Sequence, residues 1–544
     1  MKKYILTVLA GASVGAIAMT ATPAFAQDKP AAQSDSLPPT DEGQDKSDKE
    51  IIVTGTQIRG TTPAGATLLT QTSEAAAERG ATNGNEILAQ LPQASNFFQS
   101  LPALGGGASG LVAVSRLPFQ PVSLRNLPNV NTGGSPTLTL IDGHRVVPMG
   151  TNALGGQGVD SSAIQASTLL RTEVMPDGGS AIYGSDPIAG TINYITRDDF
   201  DGVELRARGG IAGKYKAYDA SITAGTKWDS GSVYGSVAYN YHDALLGKDR
   251  AYIHAWDANP NSPLFGTPLG LACLNPNIAI TSVVSGVSSR RLYPETAPGG
   301  TIQPYTTNGG TNGNGTPSAN GIAGGNRCDT TDWQSFYPKS KEINANFGLK
   351  QDITDSLTFS VKGNYLWHKT TAYLAATLTA NLTPATPGYK PVCTAAAVPN
   401  TPQCGVTAGY FLGDDARNQS ITTDLSSVLG PYLNSFVTSE LWQVTPQLTW
   451  NFAKDWQVRA LVSYGESKST GIQGAVDPTQ SATRVASGLI NPYNLPASGA
   501  GAFTNLITYS ATIGAFHLLD ARVVADGPLP LIHLPAGEDR KSVV

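Results

Sequence analysis

The sequence predicts a compact α+β domain followed by an antiparallel transmembrane β-barrel. Three observations carry this. Residues 56–200 mix helix and strand signals. From residue 202 onward, apolar and polar residues alternate with period two, in runs of about ten residues or more, which exceeds the usual soluble strand and matches a tilted strand crossing a bilayer. Short and long connections then alternate, as in barrels with short turns on one side of the membrane and long loops on the other.

Taken in order, residues 1–26 hold Lys2 and Lys3, a short apolar run and the small-x-small site Ala24–Ala26. This is a secretory signal peptide, so the mature chain is expected to begin near Gln27. Residues 27–50 are polar, charged and proline-containing and cannot bury a core; a disordered tether with a reach of roughly 25–30 Å is expected. Ile51, Ile52 and Val53 follow directly. Such a β-prone patch can add a strand to another protein's sheet, or serve as the first strand of the next domain.

Within 56–200, helices are expected near 73–79 and 84–90. "PTLTLIDGHRVVP" predicts a hairpin, Thr137–Ile141, a turn at Asp142-Gly143, then Arg145–Val147. "SSAIQASTLLRTEVMPDGG" predicts a short helix running into the strand Arg171–Met175, and "GTINYITR" a further strand.

The stretch Arg171–Arg197 is glycine-rich, and its chemistry needs deciding. Gly179 and Gly184 have the spacing of a phosphate loop, but Ser185 stands where the lysine must be, so nothing would reach terminal phosphates. Neither Ser180 nor Ser185 completes a nucleophile elbow, Ile182 and Pro187 standing where the second glycine must be. Turns with glycine at positive φ remain. The histidines form no H-x-x-H or H-E-x-x-H set, and Asp142 and His144 merely flank a turn glycine. No catalytic residue, metal site or cofactor is predicted. The net charge of -5 and the absence of a basic run argue against nucleic acid. After the signal no apolar stretch is long enough for a transmembrane helix.

The four cysteines fall into two local pairs, Cys273 with Cys328 and Cys393 with Cys404. Export favours disulfides; a zinc site is disfavoured without a C-x-x-C or a nearby histidine pair.

The strand candidates lie near 203–211, 216–227, 231–243, 340–350, 357–369, 440–452, 456–467 and 515–526, with one more from 529. In "LTFSVKGNYLWHK", Leu357, Phe359, Val361, Tyr365 and Trp367 take one face; Thr358, Ser360, Lys362, Asn364 and His368 take the other. Pro446 inside "LWQVTPQLTWNF" suggests a bulge. Trp228, Tyr241, Trp367, Trp450, Trp456 and Tyr464 are expected at strand ends on the apolar face, where a headgroup girdle would place them. The segments 244–339, 373–437 and 470–514 are long connections rich in Gly, Asn, Thr and Pro, and hold both cysteine pairs.

These motifs together resemble TonB-dependent outer-membrane receptors. "EIIVTG", comprising Glu50, Ile51, Ile52, Val53, Thr54 and Gly55, looks like that family's TonB box. "VSLRNLPN" with Leu124, Arg125 and Asn126, "LTLIDGHRV" with Asp142, Gly143 and Arg145, and "LLRTEVMPDGGSAIYGSDPIAGTINYITR" with Glu173, Gly178, Tyr183, Gly184 and Asn193 look like its plug signatures, in order. Asn126 departs from the family, which often has glycine there. The resemblance implies an α+β plug domain (56–200) inside a barrel of about 22 strands. It also implies active uptake of a scarce extracellular small molecule, driven by the inner-membrane TonB protein, which pairs with the box by strand addition. A siderophore-type iron complex comes first, then cobalamin or an oligosaccharide. Outer-membrane lipid is the other partner. A passive porin and an adhesin without energy coupling are the rivals; a porin has no domain between signal peptide and first strand. About nine strand candidates against about 22, and a C-terminal Val544 rather than a terminal aromatic, lead to the expectation that the chain is an N-terminal fragment with a partial barrel.

Overall fold

The computed structural model describes residue 54 and residues 67–95, 123–125, 136–151, 156–176, 179–249, 273–284, 287–294, 297–298, 302, 333–392, 417–429, 433–453, 456–534 and 537–543. The first part contains β1 (Leu69–Thr72), α1 (Ser73–Glu78), α2 (Gly84–Ala89), β2 (Ala94–Ser95), β3 (Ser123–Leu124), β4 (Thr137–Ile141), β5 (His144–Arg145), β6 (Met149–Thr151), β7 (Gly156–Gly158), β8 (Leu169–Met175), α3 (Ser180–Tyr183) and β9 (Gly190–Thr196). Five of these strands form one sheet in the order β1-β8-β9-β4-β5, with β4 and β9 parallel.

Alternation along β8 and β9 divides that sheet. Val174 stands opposite Ile192 and Thr172 opposite Tyr194. Val174, Ile192 and Tyr194 enter a core with Ala76, Ile87 and Leu88 from α1 and α2. Glu173 and Asn193, also directly opposite each other, point the other way. The close approach of α2 depends on Gly84: a Cβ there would sit 2.6 Å from Ser161 O. Both helices are capped by the residue before them, Thr72 Oγ1 at the end of β1 accepting from Ala75 N (3.3 Å) and Asn83 Oδ1 from Glu86 N (3.1 Å).

Two sequence expectations change here. The second hairpin strand is only His144–Arg145, because the chain then leaves the sheet to meet other strands. The expected helix before β8 is instead two 3-10 turns, Ser161–Ala163 and Ala166–Thr168, the first begun by Asp160 Oδ1 accepting from Ser162 N at 3.0 Å.

The second part contains β10 (Gly202–Ala212), β11 (Tyr215–Trp228), β12 (Gly231–His242), β13 (Leu245–Leu246), β14 (Asn277–Val284), β15 (Val287–Pro294), β16 (Ser335–Tyr337), β17 (Lys339–Thr354), β18 (Leu357–Tyr373), β19 (Thr377–Leu382), β20 (Gln419–Asp424), α4 (Ser426–Leu429), β21 (Asn434–Ala453), β22 (Trp456–Val476), α5 (Pro478–Ala486), β23 (Ile507–Leu534) and β24 (Gly537–Val543). Nine strands make one antiparallel sheet, β10-β11-β12-β17-β18-β21-β22-β23-β24, open at β10 and β24. Among the described residues no helix is long and apolar enough to cross a membrane.

This sheet, the wall, is apolar on the outside. Val203, Leu205, Val237, Phe347, Trp450 and Leu519 are 68, 74, 52, 43, 48 and 69% exposed. The opposite face is polar and buried, with Ser232, Ser236, Asn240, Asn344 and Ser463. That inversion of the soluble pattern follows when lipid is one solvent and a polar domain covers the other face. The α+β domain lies on the polar face. Thr223 Oγ1 meets Ser167 Oγ (3.0 Å), Tyr234 OH donates to Arg197 O (3.1 Å), and Ser467 Oγ donates to Pro148 O (2.6 Å). His368 places Nδ1 2.8 Å from Asp160 Oδ2 and Nε2 3.3 Å from Glu342 Oε1.

The wall strands outrun the sequence expectation: β22 has 21 residues and β18 has 17. Trp367 and Tyr464 therefore sit within strands, not at their ends. Trp228, Trp450, Phe452 and Trp456 do gather near the short-turn end, with Trp450–Phe452 and Phe452–Trp456 centroids 5.1 and 6.1 Å apart. Pro446 makes no bulge. It stands opposite Val361 in unbroken register, and only the ladder to β22 lapses, over Thr445 and Pro446. Proline lacks the N–H that this rung needs.

The long connections are also more ordered than expected. The second and third begin later and end earlier than expected, and the first two carry a sheet of their own, β15-β14-β20-β19. Ile278, Leu378, Ile421, Val485, Tyr493 and Leu506 share one core there. Asp477 caps α5, its Oδ1 accepting from Thr479 N and Gln480 N, both at 2.9 Å, with Pro478 in the first turn. Cys273 is buried and disulfide-bonded; Cys328, Cys393 and Cys404 lie outside the described residues.

If the outward face meets lipid, Val237→Arg is expected to destabilise the fold in lipid vesicles by about 2–4 kcal/mol and so lower the folded fraction, as for arginine near the midplane of a barrel. Heat-modifiable mobility measures this. A soluble sheet would tolerate the change.

Candidate functional site

The face of the first sheet turned away from its helices holds a buried polar chain ending on Thr54. Thr54, Glu173 and Asn193 are 2, 2 and 4% exposed. Thr54 donates twice to Glu173 Oε2, through its backbone N–H (2.8 Å) and its hydroxyl. Glu173 Oε1 accepts from Arg171 Nε at 2.7 Å, two residues back on the same strand face. The Thr54 hydroxyl accepts in turn from Asn193 Nδ2 (2.9 Å), whose Oδ1 accepts from Gly143 N (2.9 Å).

The turn supplying Gly143 joins β4 to β5. Asp142 and Gly143 both have positive φ, 48° and 77°, as a two-residue type I′ turn requires. Asp142 tolerates this because its carboxylate is engaged: Oδ1 accepts from Thr196 N (2.9 Å) and Oδ2 from Thr196 Oγ1 (2.6 Å). His144 next to it is held neutral, burial pushing its pKa down to about 4 against the opposing charge of Asp142.

A carboxylate as buried as Glu173 is stable only while donors cover its oxygens. If Thr54 leaves, Oε2 loses both donors and water must enter. Net contributions of hydrogen bonds to a charged group run about 1.5–3 kcal/mol. The arrangement can therefore hold a segment reversibly. Among the described residues no group of three His, Cys, Asp or Glu side chains could hold a metal.

The motif residues singled out in the sequence divide into three sets. Thr54, Glu173, Asn193, Asp142 and Gly143 come together as above. Arg125, Arg145, Tyr183 and Gly184 make a second patch around the glycine-rich stretch. Arg145 pairs with Asp186 and donates to Tyr183 O (2.9 Å), and Arg125 donates to Ile188 O (3.0 Å). Gly179, Gly184 and Gly190 there have φ of 99°, 82° and 131°, and a Cβ on Gly190 would lie 2.4 Å from Met175 O. The described part of this stretch is the end of β8, the short helix α3, bends and β9. Leu124 is core. Arg125 itself occupies a turn with φ 57°. Glu50, Ile51, Ile52, Val53, Gly55, Asn126 and Gly178 lie outside the described residues.

Sequence reasoning missed Arg171, Thr196, Lys362 and Arg522. Lys362 from β18 reaches Asp142 Oδ2 (3.1 Å), Thr196 Oγ1 (2.6 Å) and Asp198 Oδ1 (3.1 Å). Arg522 Nη1 from β23 donates to Gly143 O at 3.1 Å. The only hint was that Lys362 lies on the polar face of an alternating run.

No protein-family model matches the chain. Solved structures similar to it include a mutant of the ferric enterobactin receptor PfeA from Pseudomonas aeruginosa, at 13% identity, over 88% of this chain and 48% of that one, with a TM-score of 0.40. The unliganded ferric citrate transporter FecA is similar at 13% identity, over 85% and 55%, with a TM-score of 0.34. The siderophore receptor PirA from Acinetobacter baumannii is similar at 12% identity, over 86% and 54%, with a TM-score of 0.29. The chain thus spans about half the length of these structures.

Removing the charge with Glu173→Gln, or the hydroxyl with Thr54→Val, is expected to speed amide exchange in a 50–56 peptide by about ten- to a hundredfold, the equivalent of a lost charged hydrogen bond. Unchanged exchange in both variants would show that Glu173 does not hold Thr54.

Proposed function

We propose that this chain is a TonB-dependent uptake receptor of the outer membrane. A signal peptide (1–26) exports it, a tether (27–50) gives reach, and the TonB box (50–55) is the point of energy coupling. The domain of residues 56–200 is the plug. The segment 201–544 provides barrel wall and the extracellular connections that bind a scarce small molecule. The inner-membrane TonB protein adds a strand along Ile51–Val53 and draws it from the plug; the ligand then passes to the periplasm. A siderophore-type iron complex is the first ligand class, on the sequence resemblance, with cobalamin or an oligosaccharide behind it.

One observation carries this reading. Thr54, from the segment that resembles the box, is buried on Glu173 and Asn193 in a domain lying on the polar face of a sheet whose other face is apolar. The donors that hold the Asp142-Gly143 turn lie toward the short-turn end: Lys362 is near the start of β18, and Arg522 stands opposite Leu461 near the start of β22. A coupling segment is needed at that end, away from the long connections.

Val53→Pro removes a backbone donor and fixes φ. In cells given labelled ferric siderophore, cobalamin or oligosaccharide, the native protein is expected to accumulate one of them only while the proton gradient is intact. The variant should bind that ligand and fail to import it. Uptake that survives loss of the gradient would indicate a porin, and binding without uptake by the native protein an adhesin.

We also propose the disulfides 273–328 and 393–404, supported by the disulfide at Cys273 and by the local pairing. Non-reducing peptide mapping should find both; a 273–393 or 328–404 link overturns the assignment.

A further inference from the structure

We propose that Lys362 and Arg522 of the wall are positioning residues for the grip on Thr54, acting through the orientation of the Asn193 amide. The inference rests on the reading of Thr54 as part of the coupling segment, but concerns what sets the strength of its hold.

The hydrogen bonds run in one direction. Gly143 N–H donates to Asn193 Oδ1, Asn193 Nδ2 to Thr54 Oγ1, and the Thr54 hydroxyl to Glu173. The Thr54 proton is committed to the carboxylate, so its oxygen can only accept from Asn193. An amide presents a donor at one end and an acceptor at the other. Only the orientation fixed by Gly143 N–H puts the donor toward Thr54. The reverse orientation would set the Asn193 oxygen against the Thr54 oxygen, both acceptors.

The turn that aims Gly143 N–H is held from the wall on both sides. Lys362 Nζ reaches Asp142 Oδ2 at 3.1 Å, and Arg522 Nη1 donates to Gly143 O at 3.1 Å. The two come from β18 and β23, which are separated in the sheet by β21 and β22. The turn is thus referenced to two wall strands three places apart in the sheet as well as to Thr196 of its own domain, and among the described residues Gly143 N–H is the group that orients the Asn193 amide. A displacement of β18 relative to β23 moves Gly143 N–H and lets the Asn193 amide rotate, with no contact between the wall and Thr54 required.

The test is amide exchange of a 50–56 peptide in the membrane-inserted full chain, without TonB or ligand. Lys362→Gln and Arg522→Gln are each expected to raise exchange about tenfold, and Lys362→Arg to restore it. Asn193→Ala should raise it at least as much, and Lys362→Gln combined with Asn193→Ala should be no faster than Asn193→Ala alone, because both act on one path. His368→Gln, which breaks a different contact between domain and wall, should leave exchange within about twofold of native. Heat-modifiable mobility identifies folded protein for each variant, and either wall variant alone suffices. Native exchange in folded Lys362→Gln or Arg522→Gln, with Asn193→Ala raised, overturns the proposal and leaves the Thr54 site standing. Native exchange in Asn193→Ala as well sinks the site itself. Equal increases in His368→Gln overturn the proposal in favour of general loosening.

Discussion

The buried carboxylate of Glu173 is the interaction on which the rest depends. An anion at 2% exposure needs donors on every side, and this one has Arg171 on one oxygen and Thr54 on the other. Thr54 is therefore part of the solution to an electrostatic requirement of the domain. The same requirement makes the hold reversible: once water replaces the two Thr54 donors, the carboxylate is again satisfied. A purely apolar contact would give no such exchange partner.

Around that group the two faces of one small sheet do different work. Helices α1 and α2 cover the face bearing Val174, Ile192 and Tyr194, which fixes the backbone of β8 and β9. Because side chains alternate, this fixes Glu173 and Asn193 as a cross-strand pair on the opposite face. Apolar packing on one side thus determines the placement of a polar site on the other. The wall repeats the division at larger scale, with lipid-compatible residues outside and hydrogen-bonding residues inside.

Much of this could be read from the sequence where signals are local. The helices at 73–78 and 84–89 and the Asp142-Gly143 turn followed from nearby residues. Glu173 and Asn193 were found only through resemblance; nothing local says that they face each other. Strand ends were misjudged because polar residues such as those of "SKSTGIQGAV" alternate only weakly, so β22 appeared to stop early. Lys362 and Arg522 were missed because their partners lie 220 and 379 residues away. Period two shows that a side chain faces inward, not what it meets there. The core of the long connections was missed for a related reason: the alternation of Leu378, Ala380 and Leu382 in "TLTANL" is short and lies among turn-forming residues.

That core has a consequence for how the long connections can change. Ile278, Leu378, Ile421 and Val485 belong to three different connections yet fill one interior. These connections cannot be exchanged singly. A segment grafted from another protein in place of 477–506 would leave the apolar side chains of the other two facing a surface not shaped for them. Variation here is confined to positions outside the shared interior, or must alter several distant stretches together. A change to the shared interior in one connection therefore has to be matched in the other two.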